Sequence, residues 1–376
     1  MSTIKVNNLE SSTGGGVAAK LTSVNGGRIG THNLVVNGAM QIAQRALSST
    51  DNGYGSVDRF RTVYSGTDEA PTQSQGDVAS GTTPYSLGFR KTFKITNGNQ
   101  TSGAGSADRI SFDHKIEAQD IANSGWNYTS TSSYITLSYW VKSSVSQNFF
   151  VRVLSKDGTN QRYAFETGTL TANTWTKITK TIPGASSLQF DTNNEAGLEF
   201  RFYLFRGTDN TDNSVNLNQW ETHSGTANSP DQTSTWYTTN DATFEITGVQ
   251  LEVGEVATAF QFKTFDEVRR ECYRYFQKVR GGIGTCQSSS QVNGVLRYEP
   301  MRTDPSLSKH GTSAYQFGDM IDQGRSTTST PTFFRNDGLF GHSCYSLTGF
   351  SGMTTGEAMR DEGAGGDAAF GLDAEL

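Results

Sequence analysis

From about Asn37 to Lys263 the apolar residues recur at every second position in short runs, separated by clusters of Gly, Asn, Asp and Ser. A period of two places successive side chains on opposite faces of a strand, whereas a helix would need spacings of three and four. In "SYITLSYWVKSS", Ile135, Leu137, Tyr139 and Val141 share one face, with Thr136, Ser138, Trp140 and Lys142 on the other. In "GLEFRFYLFRG", Leu198, Phe200, Phe202 and Leu204 oppose Glu199, Arg201, Tyr203 and Phe205, and "NFFVRVLSKDG" reads as a strand closing on a Lys-Asp-Gly turn. Such a series predicts an all-β chain whose main domain, 39–263, is an antiparallel sandwich of the jelly-roll type.

The stretch "TFEITGVQLEVGEVATAFQFKTFDEVRRECYRYFQK", Thr243 to Lys278, changes period halfway. Phe244 and Ile246 alternate with polar neighbours, the phase shifts at Gly248, and Val249, Leu251 and Val253 continue, which predicts a strand with a bulge. After Gly254 the spacing lengthens: Phe265, Val268, Cys272 and Phe276 fall on one helical face, and Thr264 with Glu267 has capping-box spacing. The prediction is an amphipathic helix over 264–279 that covers the end or edge of a sheet. Beyond it, 280–376 reads as a smaller β-domain: Val292, Gly294, Leu296 and Tyr298 alternate, Pro300 and Pro305 bracket a turn, and "AAFGLDAEL" closes with Phe370, Leu372, Ala374 and Leu376 on one side.

The first segment, 1–38, is thin in large apolar residues and could not by itself offset the entropy of ordering. It is either a disordered tail or a set of strands ordered only against another subunit. Charged residues make up 18% of the chain, their place taken by Ser, Thr, Asn and Gly, which suits turns and sheets better than exposed helices. A net charge of -6 argues against nucleic acid as a partner. The N-terminal text lacks a signal-peptide pattern, and no apolar run reaches the length of a membrane span, so a chain made in a cytoplasm without membrane insertion is expected.

Motifs for chemistry are sparse. Cys272, Cys286 and Cys344 form no C-x-x-C pair and read as free, packed thiols. The five histidines share no metal-ligand spacing, and no nucleophile elbow, phosphate loop or dinucleotide fingerprint occurs, so neither metal, cofactor nor catalytic residues are assigned and the chain reads as a non-enzyme. A carboxylate pair could still meet in space, with Glu166, Glu195 and Glu199 available. Asp191 to Gly197, "DTNNEAG", loosely resembles a calcium loop, with a solvated turn the simpler reading.

The aromatics divide into two groups. Trp140 sits on a strand and Trp175 precedes an alternating run, and both are expected to pack in a core or between sheets. Trp126, Tyr128, Trp220, Trp236 and Tyr237 lie in polar, loop-like text, where they would serve either as sugar-stacking platforms or as inter-subunit contacts.

Several stretches in order, "NLVVNGAMQIAQRA", "VDRF", "YITLSYWVKSS", "NTWTKITKTIPG", "ITGVQLEVGEVATAFQFKTFDEVRRECYRYFQK", "MRTDPSLS" and "DAEL", resemble the virion fibre and appendage proteins of tailed bacteriophages that carry a carbohydrate-binding-module-like jelly roll. The resemblance implies that Asn37, Gly38, Met40, Asp58, Arg59, Phe60, Trp140, Trp175 and the Gly248–Gly254 strand are framework; where Phe60 stands, such proteins often have tryptophan. It further implies a virion location and a homotrimer in which 1–38 docks to other virion proteins, with Ile4, Val6, Leu9, Val17 and Leu21 burying against their copies. The function expected is a tail fibre that recognises the bacterial surface through glycan binding. A head or collar fibre with a mainly structural role is the alternative, and a polysaccharide depolymerase a third.

Overall fold

The computed structural model describes residues 33–280, 282–310, 314–319, 324–361 and 369–376, with a short hairpin of β1 (Ser23–Val24) and β2 (Gly27–Arg28) ahead of them. The expectations placed on Ile4, Val6, Leu9, Val17 and Leu21 lie outside these residues.

Twelve strands follow in chain order: β3 (Ser48–Ser49), β4 (Arg61–Ser65), β5 (Thr72–Asp77), β6 (Lys91–Thr96), β7 (Arg109–Glu117), β8 (Tyr134–Ser143), β9 (Asn148–Ser155), β10 (Gln161–Thr169), β11 (Thr176–Pro183), β12 (Ala196–Arg206), β13 (Trp220–Thr222) and β14 (Thr243–Val253). They form two six-stranded antiparallel sheets, ordered β13-β10-β9-β12-β7-β4 and β11-β8-β14-β6-β5-β3. Both sheets are open and neither closes into a barrel. The chain is mostly β, as its period predicts. The inward residues of both sheets share one core: Phe112 stacks on Phe202 at 4.7 Å between centroids, and Tyr139 and Phe244 of the second sheet meet these rings at 5.0 and 5.9 Å. Ile135, Leu137, Tyr139 and Val141 are all fully buried, so the predicted face of β8 is the core face.

The bulge in β14 is present. Its register against β8 shifts between Thr247 and Gln250, and Gly248 takes φ +64°, a left-handed conformation glycine adopts without a steric penalty. The displaced strand lets Val249 bond to Gly38, where an added Cβ would collide with the Val249 carbonyl oxygen.

Among the described residues four short α-helices interrupt the strands: α1 (Thr83–Ser86), α2 (Ala118–Ala122), α3 (Thr235–Thr238) and α4 (Phe265–Tyr273). The α4 capping box is complete, with the Thr264 hydroxyl accepting from the Glu267 amide and the Glu267 carboxylate accepting from the Thr264 amide. Two expectations need correction. The helix stops at Tyr273, because Phe276 opens a strand that finds a ladder partner nearly a hundred residues on. Its buried residues Val268 and Cys272 pack on Ile42 and Val36, which belong to a turn-containing segment rather than a sheet edge.

Beyond α4 lie β15 (Phe276–Val279), β16 (Ile283–Ser288), β17 (Gln291–Arg297), β18 (Ser306–His310), β19 (Tyr315–Asp319), β20 (Gly324–Thr327), β21 (Thr332–Asp337), β22 (His342–Thr348), β23 (Ala358–Asp361) and β24 (Ala369–Asp373). They make a three-stranded sheet, β15-β24-β18, and a seven-stranded one, β20-β19-β23-β16-β17-β22-β21. Their core, including Val292, Leu296, Tyr345, Phe370 and Leu372, is separate from that of the large sandwich. Residues 373–376 reach back to the large sandwich. There Glu375 pairs with the fully buried Arg59 and with Arg45, and the Leu376 carbonyl accepts from Lys115 and Tyr54.

Candidate functional site

A cleft of about 630 Å³ opens where residues 33–36, α2 and α4 converge. Each wall has a local cause. Residues 33–36 run along β14, the Leu34 amide donating to the Leu251 carbonyl and the Asn33 carboxamide oxygen accepting from the Leu251 and Val35 amides. Helix α2 continues directly from β7 and is clasped by the 191–197 loop, whose Glu195 and Asn193 carbonyls accept the Ala118 and Gln119 amides. That loop, considered above as a calcium ligand, thus orders a helix start. Among the described residues no group of three or more His, Cys, Asp or Glu side chains could hold a metal ion.

The junction is pinned by Glu117, whose side chain is fully buried. Arg274 grips its carboxylate through two nitrogens at 2.6 and 2.7 Å, the Tyr275 hydroxyl donates at 2.7 Å and the Gln119 amide at 2.6 Å. Burial alone would raise the Glu117 carboxyl, but these donors bring it below the ordinary range. The same bond holds the Arg274 guanidinium above its usual value. Desolvation, and then the Glu117 charge, push Asp120 up. The lining is Asn33, Gln119, Asp120, Asn123, Ser124, Lys263, Glu271 and Arg274 around Leu34, Val36, Val253 and Tyr275. Amides, both charge types and a hydroxyl therefore stand beside apolar side chains, a chemistry suited to a neutral, hydroxyl-rich ligand.

The aromatics singled out from sequence fall elsewhere. Trp236 and Tyr237 are core residues at 0% and 1% exposure: the indole donates to the Thr243 carbonyl, Tyr237 stacks on Phe205 at 4.5 Å and its hydroxyl bonds Asp108. Trp126 is buried at 3% against Phe190, its indole donating to the Ser133 carbonyl. A ring without an exposed face cannot stack on a sugar, so the platform reading of these three is corrected. Tyr128, edge-on to Phe190, and Trp220, edge-on to Tyr163 with its indole on the Pro183 carbonyl, are half-buried. Both pack on the core of the large sandwich, and neither lines the cleft.

The framework residues have physical reasons. Asn37, at φ 60°, spends its carboxamide on the Ile42 and Asp58 carbonyls and on the Ile42 amide, while Met40 and Phe60 are fully buried. The outward face of the first sheet carries a charge chain that period alone did not reveal. Arg61, Asp113, Arg201, Glu199 and Arg152 run across it, with Arg152 2.5 Å from Glu199 and Arg201 2.7 Å from Asp113. Burial alone would raise Glu199, but Arg201, Arg152 and Lys156 bring it down to about 2, which unsuits it for donating protons near neutrality.

No protein-family model and no curated protein matches the chain. Among solved structures, the enzymatically active domain of bacteriophage CBA120 tailspike protein 4 aligns at TM-score 0.30 and 12% identity over 59% of this chain. The alignment covers only 21% of that domain's length. The N-terminal cellulose-binding domain of Cellulomonas fimi β-1,4-glucanase C aligns at 0.27 and 13%, covering 58% of this chain and 100% of that one. A family 30 carbohydrate-binding module aligns at 0.26 and 9%, covering 61% and 92%. These likenesses are distant.

Proposed function

We propose that this chain is a bacteriophage virion appendage protein, a homotrimeric tail fibre that adheres to bacterial surface glycan through the cleft between α2 and α4. In this reading the large sandwich is a jelly-roll carbohydrate-binding domain, 1–38 joins other virion proteins, and the protein holds its ligand without cleaving it. The observation that carries the binding site is the cleft's composition. A sugar ring offers apolar C–H faces inside a rim of hydroxyls, and the half-buried Leu34, Val36 and Val253 supply complementary apolar surface beside amide, carboxylate and ammonium groups. Its size, about 630 Å³, falls inside the roughly 300–1,000 Å³ of small-ligand sites. The virion assignment rests on the sequence resemblance.

The test is a microbial glycan array probed with the wild type and with Asn123→Trp, which fills the cleft from an exposed position. Retention by the wild type, a loss of about ten-fold or more in the variant, and no release of reducing ends from the retained glycan would support the reading. Equal retention by both proteins would reject the cleft, and reducing-end release would reject the non-catalytic role. Native mass spectrometry giving a monomer at micromolar concentration would remove the trimer.

A further inference from the structure

We propose a second carbohydrate site, on the seven-stranded sheet, selective for a sugar unit bearing a carboxylate and built on Phe340 and Arg297. Phe340 is 75% exposed. It nevertheless sits in a clamped turn. The Gly338 amide donates to Asp304 at 2.7 Å, the Gly338 carbonyl accepts from Met301 and Gly341, and the Tyr298 amide donates to the Gly341 carbonyl. Gly341 is held at φ +69°, and any side chain there would strike the Tyr298 carbonyl oxygen. The turn therefore fixes an aromatic ring in water, at a cost in hydrophobic free energy that a bound ring would recover.

Beside the ring lies a hollow of about 480 Å³ lined by Val295, Arg297, Tyr298, Phe340, Gly341 and His342. Arg297 and His342 are paired in register on β17 and β22, both are exposed, and Arg297 has no ion-pair partner among the described residues. Tyr298 is fixed by the Ser343 hydroxyl at 2.5 Å. Asp337, in register with His342 on the far side from Arg297, is the carboxylate of that row. The hollow itself is lined by no acid. An exposed aromatic face beside a free guanidinium is complementary to a saccharide whose C–H face covers the ring and whose carboxylate takes the two-pronged guanidinium contact.

The inference rests on the carbohydrate reading of the protein but concerns a surface separate from the cleft. The probes are galacturonate oligomers and the same oligomers after reduction of their carboxyl groups, titrated calorimetrically against the full chain. The wild type should bind the acidic oligomer about ten-fold more tightly than the reduced one. Arg297→Ala should erase that difference and Phe340→Ala should weaken the acidic probe, while the preference for the acidic oligomer persists in Asn123→Trp. Both changed residues are exposed, and an unshifted melting temperature verifies folding. A preference for the acidic oligomer that survives Phe340→Ala, equal affinity for the two probes, or no binding at all would overturn the proposal. So would a change of oligomeric state in Phe340→Ala, which would assign the ring to contact with a second copy of this chain. Loss of acidic binding in Asn123→Trp alone would leave the cleft standing and remove this site.

Discussion

Replacing Glu375 by Ala should cost the protein about 3–5 kcal/mol, the range for stripping a buried charge of its partner. The size follows from Arg59, whose side chain is fully buried while that of Glu375 is 5% exposed. Its guanidinium has three anchors: the Glu375 carboxylate, the Lys115 carbonyl at 2.7 Å, and the Tyr275 ring 3.4 Å from its central carbon. Its Nε has no hydrogen-bond partner, so loss of the carboxylate leaves the buried charge with the Lys115 carbonyl and the Tyr275 ring but no counter-ion in contact. Arg45 keeps Asp373 at 2.8 Å and is less affected. Conversion at about 2–4 °C per kcal/mol gives a fall in the melting temperature of roughly 6–20 °C. The internal standard is Asp77→Ala, which breaks the exposed pair with Lys91 and should cost about 1 kcal/mol or less. The double replacement Arg59→Met with Glu375→Leu should recover most of the loss, since apolar residues of similar volume need no counter-charge. Urea titration with tryptophan fluorescence reads all four proteins. A Glu375→Ala cost no larger than that of Asp77→Ala would refute the reasoning.

Other expectations follow from the same geometry. Gly38→Ala should destabilise by about 1–3 kcal/mol in urea, because its Cβ meets the Val249 carbonyl oxygen rather than a movable side chain; a neutral change would contradict the close approach. Trp236→Ala should cost about 3–5 kcal/mol as a core cavity, and an effect confined to ligand binding would show that the ring is not core. Asp58 is pushed up to about 6 by burial, against the hydrogen bonds from Gln44 and the charge of Arg45. Its folded pKa lies above the unfolded one, so its contribution is full at pH below about 4 and is lost as pH rises through about 6. Measured against Asp58→Asn, the wild type should therefore gain up to roughly 3 kcal/mol on acidification from pH 7 to 4, and a relative loss over that window would disprove the shift. His223, held down to about 4 by burial and then by Arg152, Arg162 and Lys156, should stay neutral in an NMR titration until near pH 4; an ordinary midpoint near 6.5 would contradict that environment.

What could be read from the chain is what depends on neighbours in sequence. The core face of β8, the bulge at Gly248 and the Thr264–Glu267 cap each follow from spacings of two to four residues. What escaped is set by distant partners. Trp236 and Tyr237 lie in polar text, yet their backbone is bound by Gln147 and Asn97, 89 and 140 positions away, and those bonds draw the rings inward. The period of α4 runs on through Phe276, but a ladder with β24 ends the helix first. The cleft joins Asn33, 118–124 and 263–275, and no local pattern marks such a meeting. The sole local hint, the polar residues Gln119, Asp120, Asn123 and Ser124 after an alternating strand, also describes an ordinary turn.

The proposed function puts glycan in the cleft beside Glu117. Hydrogen–deuterium exchange of the full chain, with and without the best-retained array glycan, tests it most directly. Slowed exchange over residues 118–124 and 263–275 is the predicted result. Unchanged exchange in both segments under saturating glycan would contradict it.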